Sequence, residues 1–166
     1  MCPNCLTDAN APTTHEPPTI ESVLKGLEGF LPRKPVLYLT GGEPTLRADI
    51  FDWVRRFSAE GYEVKLLTNG LKLRDLDYCK ELKAAGVTWL LLQFDTFYEN
   101  DLKALRGRSG LAAIRETVVE NLASLSMEMD LACMIDRNYN IGHMGELIRY
   151  GFKTPGVRHV SFMPSR

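Results

Sequence analysis

Five short apolar runs punctuate the chain: Val36–Leu39, Val64–Leu67, Trp89–Phe94, Leu131–Ile135 and Val160–Met163. Each is of strand length and rich in leucine, β-branched or aromatic residues, the composition of strands buried on both faces. Between them, apolar residues recur at helical spacing. Ile20, Val23, Leu24, Leu27 and Leu31 share one face, as do Ile50, Val54 and Phe57. Leu73, Leu76, Cys79 and Leu82 form a third stripe, Ile114, Val118, Leu122 and Leu125 a fourth, and Ile141, Met144, Leu147 and Ile148 a fifth. Pro17 and Pro18 precede the first helix, and Gly61, Gly86 and Gly151 stand where C-terminal caps belong. Strand starts recur at the spacing of a strand plus a crossover helix, except for a longer gap after the Trp89 strand, which the polar stretch 95–110 fills as an insertion. The pattern predicts a parallel α/β sheet with right-handed connections. No low-complexity linker divides the chain, so residues 1–166 read as a single domain. Ligands of such sheets sit at the carboxyl ends of the strands, so the residues just after each strand are where chemistry is to be sought.

Composition narrows the function classes. With 166 residues, 45% of them hydrophobic, the chain suffices for one domain with a core. A formal net charge of −1 and the lack of a basic stripe argue against a nucleic-acid partner. No apolar run approaches the roughly 20 residues of a membrane-spanning helix, so no transmembrane segment is expected. Met1 is followed at once by Cys-Pro rather than by a charged and then apolar leader. The four cysteines, Cys2, Cys5, Cys79 and Cys133, do not read as a disulfide framework in a chain of this length. The expectation is a cytoplasmic protein with reduced thiols.

Two motifs carry candidate chemistry. After the first strand comes Thr40-Gly41-Gly42-Glu43-Pro44, in which paired glycines let the backbone approach a ligand and the carboxylate can meet a cationic group such as an ammonium. The same residues also suit an ordinary tight turn with a solvated glutamate. At the amino end stands Cys2-Pro3-Asn4-Cys5, a spacing shared by zinc, redox-dithiol and iron–sulfur sites. Cys79 and Cys133 fall on a predicted helix and a predicted strand and read as core residues. His15, His143 and His159 show no ligand spacing.

The conjunction of C-P-x-C at the front, Leu39-Thr40-Gly41-Gly42-Glu43-Pro44 after the first strand, and Leu67-Thr68-Asn69-Gly70 closing the next resembles the radical S-adenosylmethionine (SAM) superfamily, and the resemblance covers nearly the whole chain. In that family three cysteines hold three irons of a [4Fe–4S] cluster and SAM chelates the fourth. The resemblance assigns Cys2 and Cys5 as the second and third cluster ligands, and Gly41, Gly42 and Glu43 as the turn that receives the SAM ammonium. Gln93 and Asp95 stand where many members carry a serine and an aspartate at a strand end, the serine reaching the SAM ribose. Asp95 could equally cap the short helix that follows. Arg106 falls near the position of an arginine that pairs with the SAM carboxylate, a task suited to a planar guanidinium, with Arg108 and Arg115 as rivals. Asn138, just past the Leu131 strand, is a further polar candidate. The pattern Leu92-Gln93-Phe94-Asp95, followed by Asp101 to Gly107, is similar to the group containing archaeal tetraether lipid synthase and methanopterin methylase-like enzymes.

What the resemblance implies is a partial (β/α)6 barrel whose first strand is missing. It also implies reductive cleavage of SAM to a 5′-deoxyadenosyl radical that abstracts hydrogen, in the service of C–C coupling or methylation of a lipid or a pterin. The implied cofactors are a [4Fe–4S] cluster and SAM, and the implied partners a small-molecule or lipid substrate and an electron donor such as ferredoxin or flavodoxin. The chain departs from the family at its start: the first cysteine would lie four residues before Cys2, so a fragment trimmed at both ends is expected. A flavodoxin-like nucleotide-binding module and a non-catalytic remnant are the competing readings.

Overall fold

The computed structural model describes residues 17–29 and 33–165, so Cys2 and Cys5 lie outside the described residues. Five strands form one sheet: β1 (Leu37–Leu39), β2 (Val64–Thr68), β3 (Trp89–Gln93), β4 (Glu128–Ile135) and β5 (Val157–Pro164). They lie in the order β1-β2-β3-β4-β5, every neighbouring pair parallel. Helices α1 (Ile20–Leu27), α2 (Ile50–Ala59), α3 (Leu76–Ala85), α4 (Glu99–Arg106), α5 (Leu111–Ser124) and α6 (Met144–Lys153) alternate with the strands, α4 and α5 both lying between β3 and β4. The strictly sequential order has no switch point, unlike the 2-1-3-4-5 order of flavodoxin-like folds. It is the arrangement of an α/β barrel wall, and the flavodoxin-like reading is not favoured.

Period-two burial sets the two faces. Leu66, Leu90 and Met129 are in register across β2, β3 and β4 and are fully buried, packed with Val54 and Phe57 of α2, Leu82 of α3 and Leu122 of α5. Fully burying one such side chain stabilises the fold by about 1.5–3 kcal/mol. The alternate residues of the same strands, Lys65, Leu67 and Leu91, stay partly exposed on the other face. Cys79 and Cys133 are both fully buried in the core. Burial pushes their thiols up, to about 11 and about 12 respectively, as for cysteines that serve the core.

The structure departs from the sequence expectation in three places. Strands β4 and β5 each begin three residues earlier than the apolar runs at Leu131 and Val160. Their first residues include Glu128 and Asp130 of β4 and Arg158 and His159 of β5; Arg158 pairs with Glu128, and Asp130 Oδ1 lies 2.9 Å from His159 Nδ1, so polar pairs across the strands break the apolar pattern. The short helix expected after Asp95 is α4, whose buried apolar residues are Leu102 and Leu105. Leu73 and Ile141 lie in separate 3-10 turns rather than in the helices that follow, because Asp75 caps α3 and α6 begins at Met144. Gly151 lies inside α6 rather than capping it. A Cβ there would stand 2.5 Å from Val160 Cγ2, so the glycine lets β5 pack against the helix.

Candidate functional site

A cavity of about 600 Å³ opens at the carboxyl ends of the strands. Its apolar lining comes from Leu67 of β2, Leu91 of β3, Ala132 and Met134 of β4, and Met163 of β5. Polar groups stand on two opposed sets of elements, one following β1 and β2 and the other following β3 and β4.

The first wall is the turn after β1. Gly41 adopts φ +134°, a backbone that side-chain-bearing residues rarely enter, and this carries the chain over the end of the strand. Glu43 then caps a 3-10 turn over Pro44–Leu46. Its Oε1 accepts from the backbone N–H of Thr45 (3.1 Å), the Thr45 hydroxyl (2.7 Å) and the Thr68 hydroxyl (2.7 Å). Its Oε2 accepts from the backbone N–H of Asn69 (2.7 Å). The carboxylate therefore ties the turn after β1 to the turn after β2, and every donor it meets is neutral. The Thr68 hydroxyl also accepts from the Gly70 N–H (3.0 Å), and Asn69 Oδ1 accepts from the Leu71 N–H (2.9 Å), which shapes the second turn. Thr40, Gly41, Gly42, Glu43, Thr68 and Asn69 all line the cavity.

The second wall is built on Asp95, a fully buried carboxylate just past β3. It accepts from Arg106 Nε (2.8 Å) and Nη2 (2.6 Å), from Arg115 Nη2 (2.9 Å) and from the backbone N–H of Met134 (2.9 Å). Burial pushes the Asp95 carboxyl up, but the Arg106 hydrogen bonds and the charges of Arg115 and Arg106 outweigh it and hold it below the ordinary carboxylate range. Gln93 joins the same network: with its amide oriented to satisfy its neighbours, Oε1 accepts from Arg106 Nη1 (2.8 Å) and Nη2 (3.0 Å). Gln93, Arg106, Arg108 and Arg115 line the cavity, while Asp95 stands behind them. Two buried or half-buried guanidiniums share one carboxylate, and Arg108 adds an exposed third. This wall is net positive.

The residues singled out from the sequence therefore separate. Gly41, Gly42, Glu43, Gln93 and Arg106 converge on the cavity. Asp95 does not cap α4, whose first turn follows Tyr98; it is the anchor of the arginine wall. Most donors of Arg106 are committed to Asp95 and Gln93, whereas Arg115 Nη1 is buried with no hydrogen-bond partner among the described residues and Arg108 stands on the exposed rim of the cavity. Asn138 is exposed, donates its N–H to Asp136 Oδ1 (2.8 Å) and is not among the cavity-lining residues. Asn140, two residues on, is the buried one: its Nδ2 donates to the Asp95 carbonyl (2.8 Å) and the Met134 carbonyl (2.7 Å), and its Oδ1 accepts from the Asp136 N–H (2.8 Å). Sequence reasoning missed Asn140 and underweighted Arg115. The available signal was their nearness to a strand end and to an aspartate, which many surface residues share.

Known proteins carry the same pattern. The family model of the Radical SAM superfamily matches residues 1–151. A 7,8-dihydro-6-hydroxymethylpterin dimethyltransferase of Methanocaldococcus jannaschii is 32% identical over 98% of this chain and 33% of its own length. A probable GTP 3′,8-cyclase of Thermococcus kodakarensis is 30% identical over 70% of this chain and 37% of its own length. A GTP 3′,8-cyclase of Synechococcus elongatus is 28% identical over 98% and 51%. The chain thus spans about half or less of these relatives. Among solved structures, that of TYW1 with a lysine–pyruvate adduct bound matches with a TM-score of 0.55 at 15% identity, over 78% of this chain and 41% of the other, which supports the fold. No helix among the described residues is long and apolar enough to cross a membrane. The enzyme-named relatives and the family match, taken with the sequential parallel sheet and the Gly-Gly-Glu turn at its strand ends, identify the chain as a member of the radical SAM superfamily.

Proposed function

We propose that the cavity binds SAM beside a [4Fe–4S] cluster held by Cys2 and Cys5 together with a third thiolate, and that the chain is the core of an enzyme that cleaves SAM reductively to abstract hydrogen from a small-molecule substrate. The observation that supports this most is the opposition of the two walls. SAM ends in an ammonium and a carboxylate, and the cavity sets a carboxylate acceptor, Glu43, on one side and an arginine cluster on the other. Its volume of about 600 Å³ falls within the roughly 300–1,000 Å³ typical of small-molecule sites.

The cluster and SAM supply the electron-transfer and bond-cleaving chemistry when bound, and the protein orients and shields them. In this reading Gly41 and Gly42 bring the backbone close to the amino-acid end of the ligand, and Glu43 accepts from its ammonium. Arg108 takes the carboxylate, while Arg106 and Arg115, pinned by Asp95, keep that wall positive. Gln93 holds Arg106 in place and lies within reach of a ribose. The apolar lining from Leu67, Leu91 and Met134 excludes water from the reacting region. The M. jannaschii relative is named for dimethylating a pterin and the cyclases for acting on GTP, so a heteroaromatic small molecule is the substrate class proposed here, with a lipid chain as the competing one. A low-potential donor such as ferredoxin or flavodoxin supplies the electron.

Calorimetric titration of SAM into the anaerobically reconstituted protein tests the reading. A charge-assisted contact contributes about 1.5–3 kcal/mol, so Glu43→Ala is expected to weaken SAM about tenfold to a hundredfold. Gly42→Ala is expected to weaken it while the fold survives. Unchanged affinity in both variants contradicts the assignment. Replacing Cys2 and Cys5 together with Ala should abolish bound iron, and an unaltered iron content in that variant rejects them as ligands.

A further inference from the structure

Thr45 lines no part of the cavity, yet it is only 3% exposed and all of its polar groups are engaged. Its N–H and its hydroxyl both donate to Glu43 Oε1, and its carbonyl accepts from the Tyr78 hydroxyl (3.2 Å). With the Thr68 hydroxyl as third donor, Oε1 is saturated, since a carboxylate oxygen offers about two lone-pair sites. Oε2 has a single donor, the Asn69 N–H, and keeps acceptor capacity. A glutamate side chain has several rotamers of similar energy, and the donors on Oε1 select one of them.

We propose that Thr45 is a positioning residue for the cationic group of the ligand: by filling Oε1 from behind, it fixes the Glu43 carboxylate with Oε2 as the oxygen still able to accept. Tyr78 of α3 holds Thr45 in turn, so a chain of contacts runs from the helix layer through Thr45 to Glu43 at the cavity. The neutral character of every donor matters to this role. Hydroxyls and backbone amides orient the carboxylate without cancelling its charge, so its attraction for an ammonium survives.

The inference rests on the reading of the cavity as a SAM site, and the test separates the two. Thr45→Val keeps the shape and removes the hydroxyl, Thr45→Ala is a smaller apolar replacement, and Thr45→Ser restores the hydroxyl. SAM affinity is measured by calorimetry on the reconstituted protein, and amide hydrogen exchange at Asn69 is followed without ligand. Losing one oriented contact to a charged group is expected to weaken SAM about fivefold to tenfold in Thr45→Val and Thr45→Ala, with Thr45→Ser close to the parent protein. Exchange at Asn69 is expected to quicken in the two apolar variants and to recover in the serine variant, because a freed Glu43 releases that N–H. A role in packing alone would lower stability in the apolar variants but leave SAM affinity and Asn69 exchange unchanged in the folded protein, and that result overturns the inference while sparing the SAM site. Failure of the parent protein to bind SAM overturns both.

Discussion

The two walls of the cavity each depend on one carboxylate, and the two carboxylates are satisfied in opposite ways. Glu43 is partly exposed and meets two hydroxyls and two backbone amides, all neutral. Asp95 is fully buried and meets two guanidiniums and one backbone amide. Neutral donors orient a negative charge and leave it in force, whereas guanidiniums cancel it and leave a surplus of positive charge at the cavity. The same functional group, a carboxylate, thus yields an acceptor wall and a donor wall, and the difference lies in its partners and its burial. On the function proposed above, Glu43 serves chiefly the ligand and Asp95 chiefly the fold.

The largest expected effect follows from Asp95. Removing one partner of a buried ion pair leaves the other uncompensated, so Asp95→Asn should lower unfolding stability by about 3–5 kcal/mol, read from urea denaturation. The same pair predicts a pH dependence. The Asp95 carboxyl titrates below its ordinary value in the folded chain, so its contribution is complete above the ordinary carboxylate range of about 4 and is lost as pH falls through the lower, folded-state value. In Asp95→Asn the loss of stability on acidification should be shallower than in the parent protein, and an equal slope would remove Asp95 from the account. A smaller effect is expected at Arg108, which is exposed: Arg108→Ala should weaken SAM about fivefold and leave the unfolding midpoint where it was. The smallest concerns Cys133. Its buried thiol stays protonated at neutral pH, so Cys133→Ala should cost a modest amount of core packing and leave the iron content of the reconstituted protein unchanged.

The acceptor wall was legible in the sequence as one contiguous turn, whereas for the donor wall the sequence named Gln93, Asp95 and Arg106, with Arg108 and Arg115 as rivals, but not how they pair. Thr40-Gly41-Gly42-Glu43-Pro44 is a contiguous turn whose backbone needs glycine at Gly41, so its residue types announce it. The five strands were legible from their short apolar runs; Leu66, Leu90 and Met129 occupy the buried layer, while Leu67 and Leu91 on the other face are apolar because they line the cavity. The starts of β4 and β5 were hidden because Asp130 and His159 satisfy each other across the strands, so polar residues stand where the pattern calls for apolar ones. The donor wall assembles Gln93, Asp95, Arg106, Arg115 and Asn140 from two strand ends and two helices. No local spacing reveals that Arg106 spends its donors on Asp95 and Gln93, or that Asn140 rather than Asn138 is the buried amide. Long-range side-chain convergence leaves no periodic trace.

One measurement bears on the division of labour most directly: thermal unfolding of the reconstituted parent protein, Glu43→Gln and Asp95→Asn, each with and without saturating SAM. A ligand that binds only the folded state raises the midpoint according to its affinity. The account predicts that Asp95→Asn unfolds earliest without SAM but is still raised by it, whereas Glu43→Gln unfolds nearer the parent protein and loses most of the SAM-dependent rise. If the two variants lose equal stability and equal SAM response, the two carboxylates are not functionally distinct and the account of the opposed walls is contradicted.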